Sequence, residues 1–123
     1  MKLSSLATAG LTTSILSILA GAIVRATGSG DGCGASWPTC NGRVIPSLET
    51  SSEIIEFSHR SISGVLLIVT LLLFVKSKDP DTPLLHKKII NYLTFFVLLE
   101  AAIGAVIVIY EWVGLNSSLP RII

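Results

Sequence analysis

The sequence predicts an all-α fold: a polytopic membrane bundle of three transmembrane helices in a single domain, 1–123. Three observations carry this reading. Apolar residues make up 50% of the chain and charged residues only 14%, well below the roughly 25% of soluble domains. A soluble chain of 123 residues has too little interior to hide that much apolar surface. The apolar residues also gather in long runs nearly free of charge, the pattern a bilayer selects. The net charge of +1 comes without the basic cluster that nucleic-acid binding requires.

The first helix is predicted over about 3–24, from Leu3 to Val24. It is rich in Ser, Thr, Ala and Gly, the residues that let membrane helices approach closely. Lys2, the apolar run and the small residues around Leu19–Ala22 also fit a cleaved signal peptide. The run is longer than the roughly 7–15 residues of a signal core, however, and continues smoothly into Arg25. A retained helix is the expectation.

A long loop, 25–50, follows. Gly28, Gly30, Gly32 and Gly34 fall within seven residues, which demands a tight backbone with several positive φ angles. Trp37-Pro38 and Ile45-Pro46 continue it, and tryptophan suits the membrane–water interface. Thr50 and Glu53 fit a capping box, so the second helix is predicted over about 51–75. Its length is roughly 37 Å, with His59 about 10 Å inside its outer end. Asp79-Pro80-Asp81-Thr82-Pro83 makes the connection 76–88 turn-rich. The third helix is predicted over about 89–113, with Glu100 near its middle, and Leu115 to Ile123 reads as loop.

Charge sets the expected orientation. Lys2, Lys76, Lys78, Lys87 and Lys88 flank one side of the predicted bundle, and Arg25, Arg43, Arg60 and Arg121 the other. The short lysine-rich connection puts itself and the N-terminus in the cytoplasm. The 25–50 loop is then outside, where Cys33 and Cys40, the two cysteines of the chain, meet an oxidising compartment that favours a disulfide.

Glu56 and His59 are three residues apart and project from one side of the second helix. Ionisable groups at membrane depth are expensive and mark function by default. A neutral imidazole is a good axial ligand for haem iron. A carboxylate one turn away can orient that ring or handle protons. Spacing alone slightly favours an interfacial helix end meeting headgroups and water. A di-iron centre needs Glu-x-x-His twice and is set aside. Cys33 and Cys40 have six residues between them, unlike the two of thioredoxin-like motifs, and no nearby histidine completes a zinc site. A structural disulfide pinning the loop and a redox-active pair both remain open. Glu100, a mid-membrane carboxylate, is expected to face the bundle interior, a partner helix or a neighbouring hydroxyl. His86, among lysines, is expected to be solvated.

In order, Gly21-Ala22-Ile23-Val24-Arg25-Ala26-Thr27-Gly28-Ser29-Gly30, then Cys33, Trp37-Pro38-Thr39-Cys40-Asn41-Gly42, Ile45-Pro46 and Ile55-Glu56-Phe57-Ser58-His59-Arg60 resemble the haem A synthases. The match is specific over roughly Gly21 to Gly64 and compatible through Gly104. The resemblance implies an integral membrane oxidoreductase, here of a prokaryotic plasma membrane. Such enzymes oxidise a methyl group of haem O to the formyl group of haem A for terminal oxidases. It implies His59 as a haem iron ligand, Glu56 as the catalytic acid, and Cys33 with Cys40 as the outer-loop disulfide pair. Arg60 is a candidate partner for a haem propionate on charge and position.

The family also implies haem O as substrate, haem b as cofactor of the full assembly, and eight helices in two four-helix halves. This chain reads as three helices of one such half. The fourth helix, its second histidine and the C-terminal half are missing from the sequence. A fragment, a truncated frame or a protomer of a homo-oligomer are the resulting expectations. Haem O synthase, terminal oxidase assembly factors and membrane lipid are the expected partners. Two other functions compete: a quinone-linked membrane thiol–disulfide oxidoreductase working through Cys33 and Cys40, and a non-catalytic haem-binding assembly subunit.

Overall fold

A computed structural model describes residues 1–110. It is all-helical, with α1 over Leu3–Thr27, α2 over Ser51–Lys76 and α3 over Leu84–Ile109. The described residues contain no strand, only an isolated bridge between Cys40 and Arg43. All three helices are long and apolar enough to cross a membrane. At 1.5 Å per residue each is about 37–39 Å long, against a hydrocarbon thickness of about 30 Å. Each helix therefore has room to extend beyond the apolar layer at its ends. The expectations for 111–123, including the last residues of the third helix and the loop-like Leu115–Ile123, lie outside the described residues.

Local chemistry sets the helix ends. α1 closes on Gly28 at φ 65°, a left-handed position that glycine takes without a Cβ penalty. From there Gly28 N–H donates to the Arg25 carbonyl at 3.3 Å, and Ser29 N–H to the Val24 carbonyl at 2.9 Å. α2 opens on Thr50, whose hydroxyl accepts the Glu53 N–H at 3.2 Å. Only that half of the expected capping box forms. The Glu53 carboxylate accepts instead from Ser47, from its N–H at 3.2 Å and its hydroxyl at 3.1 Å. The loop folding over the helix start offers donors that a sequence window cannot foresee. α3 begins at Leu84, directly after Pro83, because helix formation does not wait for the apolar run beginning at Ile89.

α2 is the central helix. It packs along α1 and along α3, while α1 and α3 do not lie side by side. α1 meets it through Leu6 and Gly10, which are buried, and through half-buried Thr13, Ser17, Gly21 and Val24. These recur every three or four residues, one stripe of a helix. Four of the six are small or hydroxylated, so the backbones come close. The pairing is antiparallel: Gly10 faces Val69 and Leu73, Ser17 bonds Ser63 at 2.8 Å, and Gly21 faces His59.

At the opposite end from the 28–50 connection, Leu6, Leu73 and Ile90 form one apolar cluster, with Leu3, Val69 and Phe74 packed on it. Lys78 sits 4.1 Å over the Phe74 ring there, a cation–π contact at the helix end. Buried Thr70 and Thr94 return their hydroxyls to the carbonyls of Leu66 and Ile90, each at 2.8 Å. Neither hydroxyl is thereby stranded in an apolar layer. Large apolar side chains such as Ile18, Ile68 and Phe95 point outward, as a lipid-facing surface requires.

The seam makes a prediction. A methyl at Gly10 would touch Leu73 at 3.4 Å, an ordinary contact. Gly10→Ala should therefore leave the melting temperature of the detergent-solubilised chain within a few degrees of wild type. Gly10→Leu should overpack the seam and cost about 1–3 kcal/mol. Equal melting temperatures for wild type and Gly10→Leu would contradict the packing described.

Candidate functional site

The site is assembled by the first three turns of α2 and the loop that leads into it. Glu53, Glu56 and Arg60 recur at three- and four-residue spacing, so they share a face. Each grips a different part of the 28–50 connection. Glu53 holds Ser47, as above. Glu56 is 3% exposed, and one carboxylate oxygen accepts the Cys33 backbone N–H at 2.7 Å. Its other oxygen pairs with an Arg60 guanidinium nitrogen. The second terminal nitrogen of Arg60 donates to the Ser36 carbonyl at 2.7 Å and the Thr39 carbonyl at 2.8 Å. A buried carboxylate needs such donors, and charge-assisted bonds of this kind are the strong ones.

The loop is folded to fit. Cys33 and Cys40 form a disulfide, and both are essentially fully buried. Cys40 exchanges backbone bonds with Arg43 at 2.8 and 2.9 Å, and Asn41 N–H donates to the Cys33 carbonyl at 3.0 Å. The Asn41 amide donates to the Gly32 carbonyl at 3.2 Å, while Gly42 N–H donates to the Ser36 hydroxyl at 2.9 Å. The Cys40 sulfur also lies 3.9 Å from a Glu53 oxygen. A disulfide sulfur carries no proton, so this is packing rather than a hydrogen bond. At Gly32 the loop crosses the start of α2 so closely that a methyl there would overlap the Ser52 carbonyl oxygen.

His59 is half-buried and turned to α1. Its Nε2 lies 3.5 Å from the Ser63 hydroxyl, at the outer limit of a hydrogen bond. It would be 3.1 Å from a Cβ built at Gly21. Glu56 does not orient this ring, because both its oxygens are taken by Cys33 and Arg60. The two residues thus sit one turn apart with separate partners. The one contact printed for Nε2 is the long one to Ser63, and an imidazole nitrogen held this loosely is a donor that could serve a haem iron. Among the described residues, no three His, Cys, Asp or Glu side chains cluster as a metal site. A haem brings its own equatorial nitrogens and asks the protein only for axial ones.

The remaining candidates lie elsewhere. Glu100 is exposed on α3 and forms no bond to a neighbouring hydroxyl among the described residues. His86 is exposed in the first turn of α3, at the far end of the bundle from His59. Arg60, expected near a substrate anion, spends its guanidinium on the loop and Glu56. Sequence reasoning missed four contributors. Gly21 stood in the quoted motif without a role, and Glu53 was read only as a cap. Ser17 and Ser63 carried no signal at all among the chain's many serines.

The chain resembles known proteins along nearly its full length. Residues 4–120 match the family described as cytochrome oxidase assembly protein. A protoheme IX farnesyltransferase of Thermus thermophilus is 40% identical over 123 residues, covering 98% of this chain and 20% of that protein. A haem A synthase of Lysinibacillus sphaericus is 41% identical over 97 residues, covering 78% of this chain and 32% of that protein. A haem A synthase of Staphylococcus epidermidis is 40% identical over 94 residues, covering 76% and 31%. The chain therefore spans between about a fifth and a third of the length of these relatives. No solved structure matches it significantly.

The clamp makes a second prediction. Arg60→Ala leaves Glu56 buried without its counter-ion, a change that costs about 3–5 kcal/mol for buried pairs. The loop should loosen, and reduction of the Cys33–Cys40 disulfide by dithiothreitol, followed by alkylation and mass spectrometry, should accelerate at least ~10-fold. Arg60→Lys, a point charge that cannot fork between two carbonyls and a carboxylate, should fall between. An unchanged reduction rate in Arg60→Ala would refute the clamp.

Proposed function

The chain belongs to the haem A synthase family of cytochrome oxidase assembly proteins, and from that premise we propose that it forms the substrate-binding part of a membrane oxidoreductase converting haem O to haem A. The observation that carries this reading is the pairing of Glu56 and His59 on one stretch of α2: a buried, rigidly held carboxylate one turn from a loosely held imidazole. His59 provides an axial nitrogen to the iron of the substrate haem. Written with water as the oxygen source, converting a methyl to a formyl group consumes one water and releases four protons and four electrons, the electrons passing to an external acceptor, so a carboxylate beside the ring has work as proton acceptor or as a stabiliser of developing positive charge. Glu56 takes that role.

The disulfide-closed loop covers the end of α2 and holds Glu56 in place through the Cys33 amide. Arg60 serves this clamp rather than a haem propionate. Burial of both cysteines argues against a thiol–disulfide oxidoreductase, whose sulfurs must meet a partner thiol. The lysines of the α2–α3 connection favour its cytoplasmic placement, with the disulfide loop outside. The match to part of a protoheme IX farnesyltransferase supports a farnesylated haem as the substrate and the farnesylating enzyme as a neighbour in the pathway.

Two substitutions in the complete assembly test this. His59→Ala should abolish the low-spin absorption of the substrate haem. Glu56→Gln should keep that absorption and lower haem A formation by about 10²-fold or more. An unaltered low-spin spectrum in His59→Ala would sink the ligand assignment. Undiminished turnover in Glu56→Gln would sink the role of the carboxylate and favour a haem-binding assembly subunit.

A further inference from the structure

We propose that the 36–45 stretch of the disulfide loop is a lipid-docking lip, with Trp37, Val44 and Ile45 seated in the headgroup–acyl boundary of the adjacent leaflet. The lip needs a bilayer but not haem. Its depth follows from α2. Lys76 closes that helix at the opposite end from the loop, and a lysine at a helix end reaches for headgroups. Arg60 lies about 24 Å from Lys76 along the helix, at 1.5 Å per residue. A hydrocarbon layer is roughly 30 Å thick, so Arg60 belongs at the loop's edge of that layer rather than in the water above it. The Arg60 guanidinium donates to the carbonyls of Ser36 at 2.7 Å and Thr39 at 2.8 Å. Those two residues bracket Trp37, so the loop comes down beside α2 to this level. It is the level at which membrane proteins are enriched in tryptophan.

Exposure and hydrogen bonding point the same way. Trp37 is 44% exposed, Val44 80% and Ile45 78%, while Cys33 and Cys40 of the same loop are buried. Large apolar side chains gathered on one loop mark a contact surface, unlike the single ones scattered over any soluble protein. Irregular backbone near hydrocarbon persists only where its polar groups are bonded. Here the Cys40 and Arg43 main chains pair with each other, and Asn41 N–H donates to the Cys33 carbonyl. Gly42 N–H donates to the Ser36 hydroxyl, and Arg60 holds the carbonyls on either side of Trp37. The loop thus meets its own polar needs and leaves apolar side chains uncovered. Depth selects lipid over a second protein as their neighbour, because an uncovered side chain at this level already faces the bilayer. Exposed Ile23 and Ile54 stand at the same end of the bundle, so the helices present apolar surface there too. Lipid contact gives the loop that grips Glu56 a second hold, independent of the charge network.

The test uses the full chain reconstituted in phosphatidylcholine vesicles. Trp37 and Trp112 are its two tryptophans, so Trp112→Phe leaves Trp37 as the single fluorophore. Its emission should be blue-shifted relative to tryptophan in water. Lipids brominated near the glycerol end of the acyl chains should quench most of it, lipids brominated near the methyl end less, and aqueous iodide little. Val44→Cys carrying a nitroxide label tests a second side chain without that variant, since the native cysteines are tied up in the disulfide. Collisions of the label with oxygen, which concentrates in lipid, should outnumber those with a nickel chelate, which stays in water. Strong iodide quenching or dominant nickel collisions would put the loop in water and overturn the lip. Protection of Trp37 from both bromine and iodide would place another protein over it and overturn the lip as well.

Discussion

The buried carboxylate of Glu56 is the constraint on which the site depends. A carboxylate at 3% exposure is tolerable only if donors surround it, because the cost of an unpaired buried charge exceeds that of almost any single contact. Its donors come from two directions, the Cys33 backbone in the loop and Arg60 one turn along α2. An Arg–Glu pair at this spacing on an exposed helix contributes only a few tenths of a kcal/mol. Here the arginine also carries the Ser36 and Thr39 carbonyls, so one charge network joins the loop to the helix at three points. The disulfide sets the shape of the loop, and the network sets where that shape sits.

A division of labour among the helices follows. α2 supplies the charged side chains that grip the loop and also carries His59. α1 contributes small size: Gly10, Ser17 and Gly21 keep its backbone close to α2 and leave room for a ring on the opposing helix. α3 contacts α2 mainly through Ile90 and Thr94 toward the far end. Methyls built at Gly64 on α2 or Gly104 on α3 would meet nothing within 4 Å. Among the described residues the bundle is thus tight between α1 and α2, closed by apolar packing at one end, and leaves space beside Gly64 and Gly104.

Much of this was legible in the sequence because long uncharged runs have few alternatives to a membrane helix. The α2 start was readable from Thr50, and Glu56 and His59 stood out because charge at that depth needs a reason. What was not legible is who holds whom. Three-residue spacing says that Glu56 and His59 share one side of a helix. It cannot say that a backbone amide 23 residues upstream reaches the carboxylate first. Arg60 read as an anion partner because its loop partners are main-chain carbonyls, which leave no trace in residue identity. Ser63 was invisible for a related reason: serines abound in this chain, and only the register of α1 against α2 sets this one beside the histidine.

That difference in grip gives the proposed chemistry its form. Electrostatic catalysis works best when the stabilising group is already fixed and does not have to reorganise as charge develops. Glu56 meets that requirement, with both oxygens bonded and the loop packed over it. His59 is held more loosely, by one long contact to Ser63 with Gly21 of α1 opposite its ring. The site therefore sets a tightly held carboxylate one turn from a loosely held histidine on the same helix.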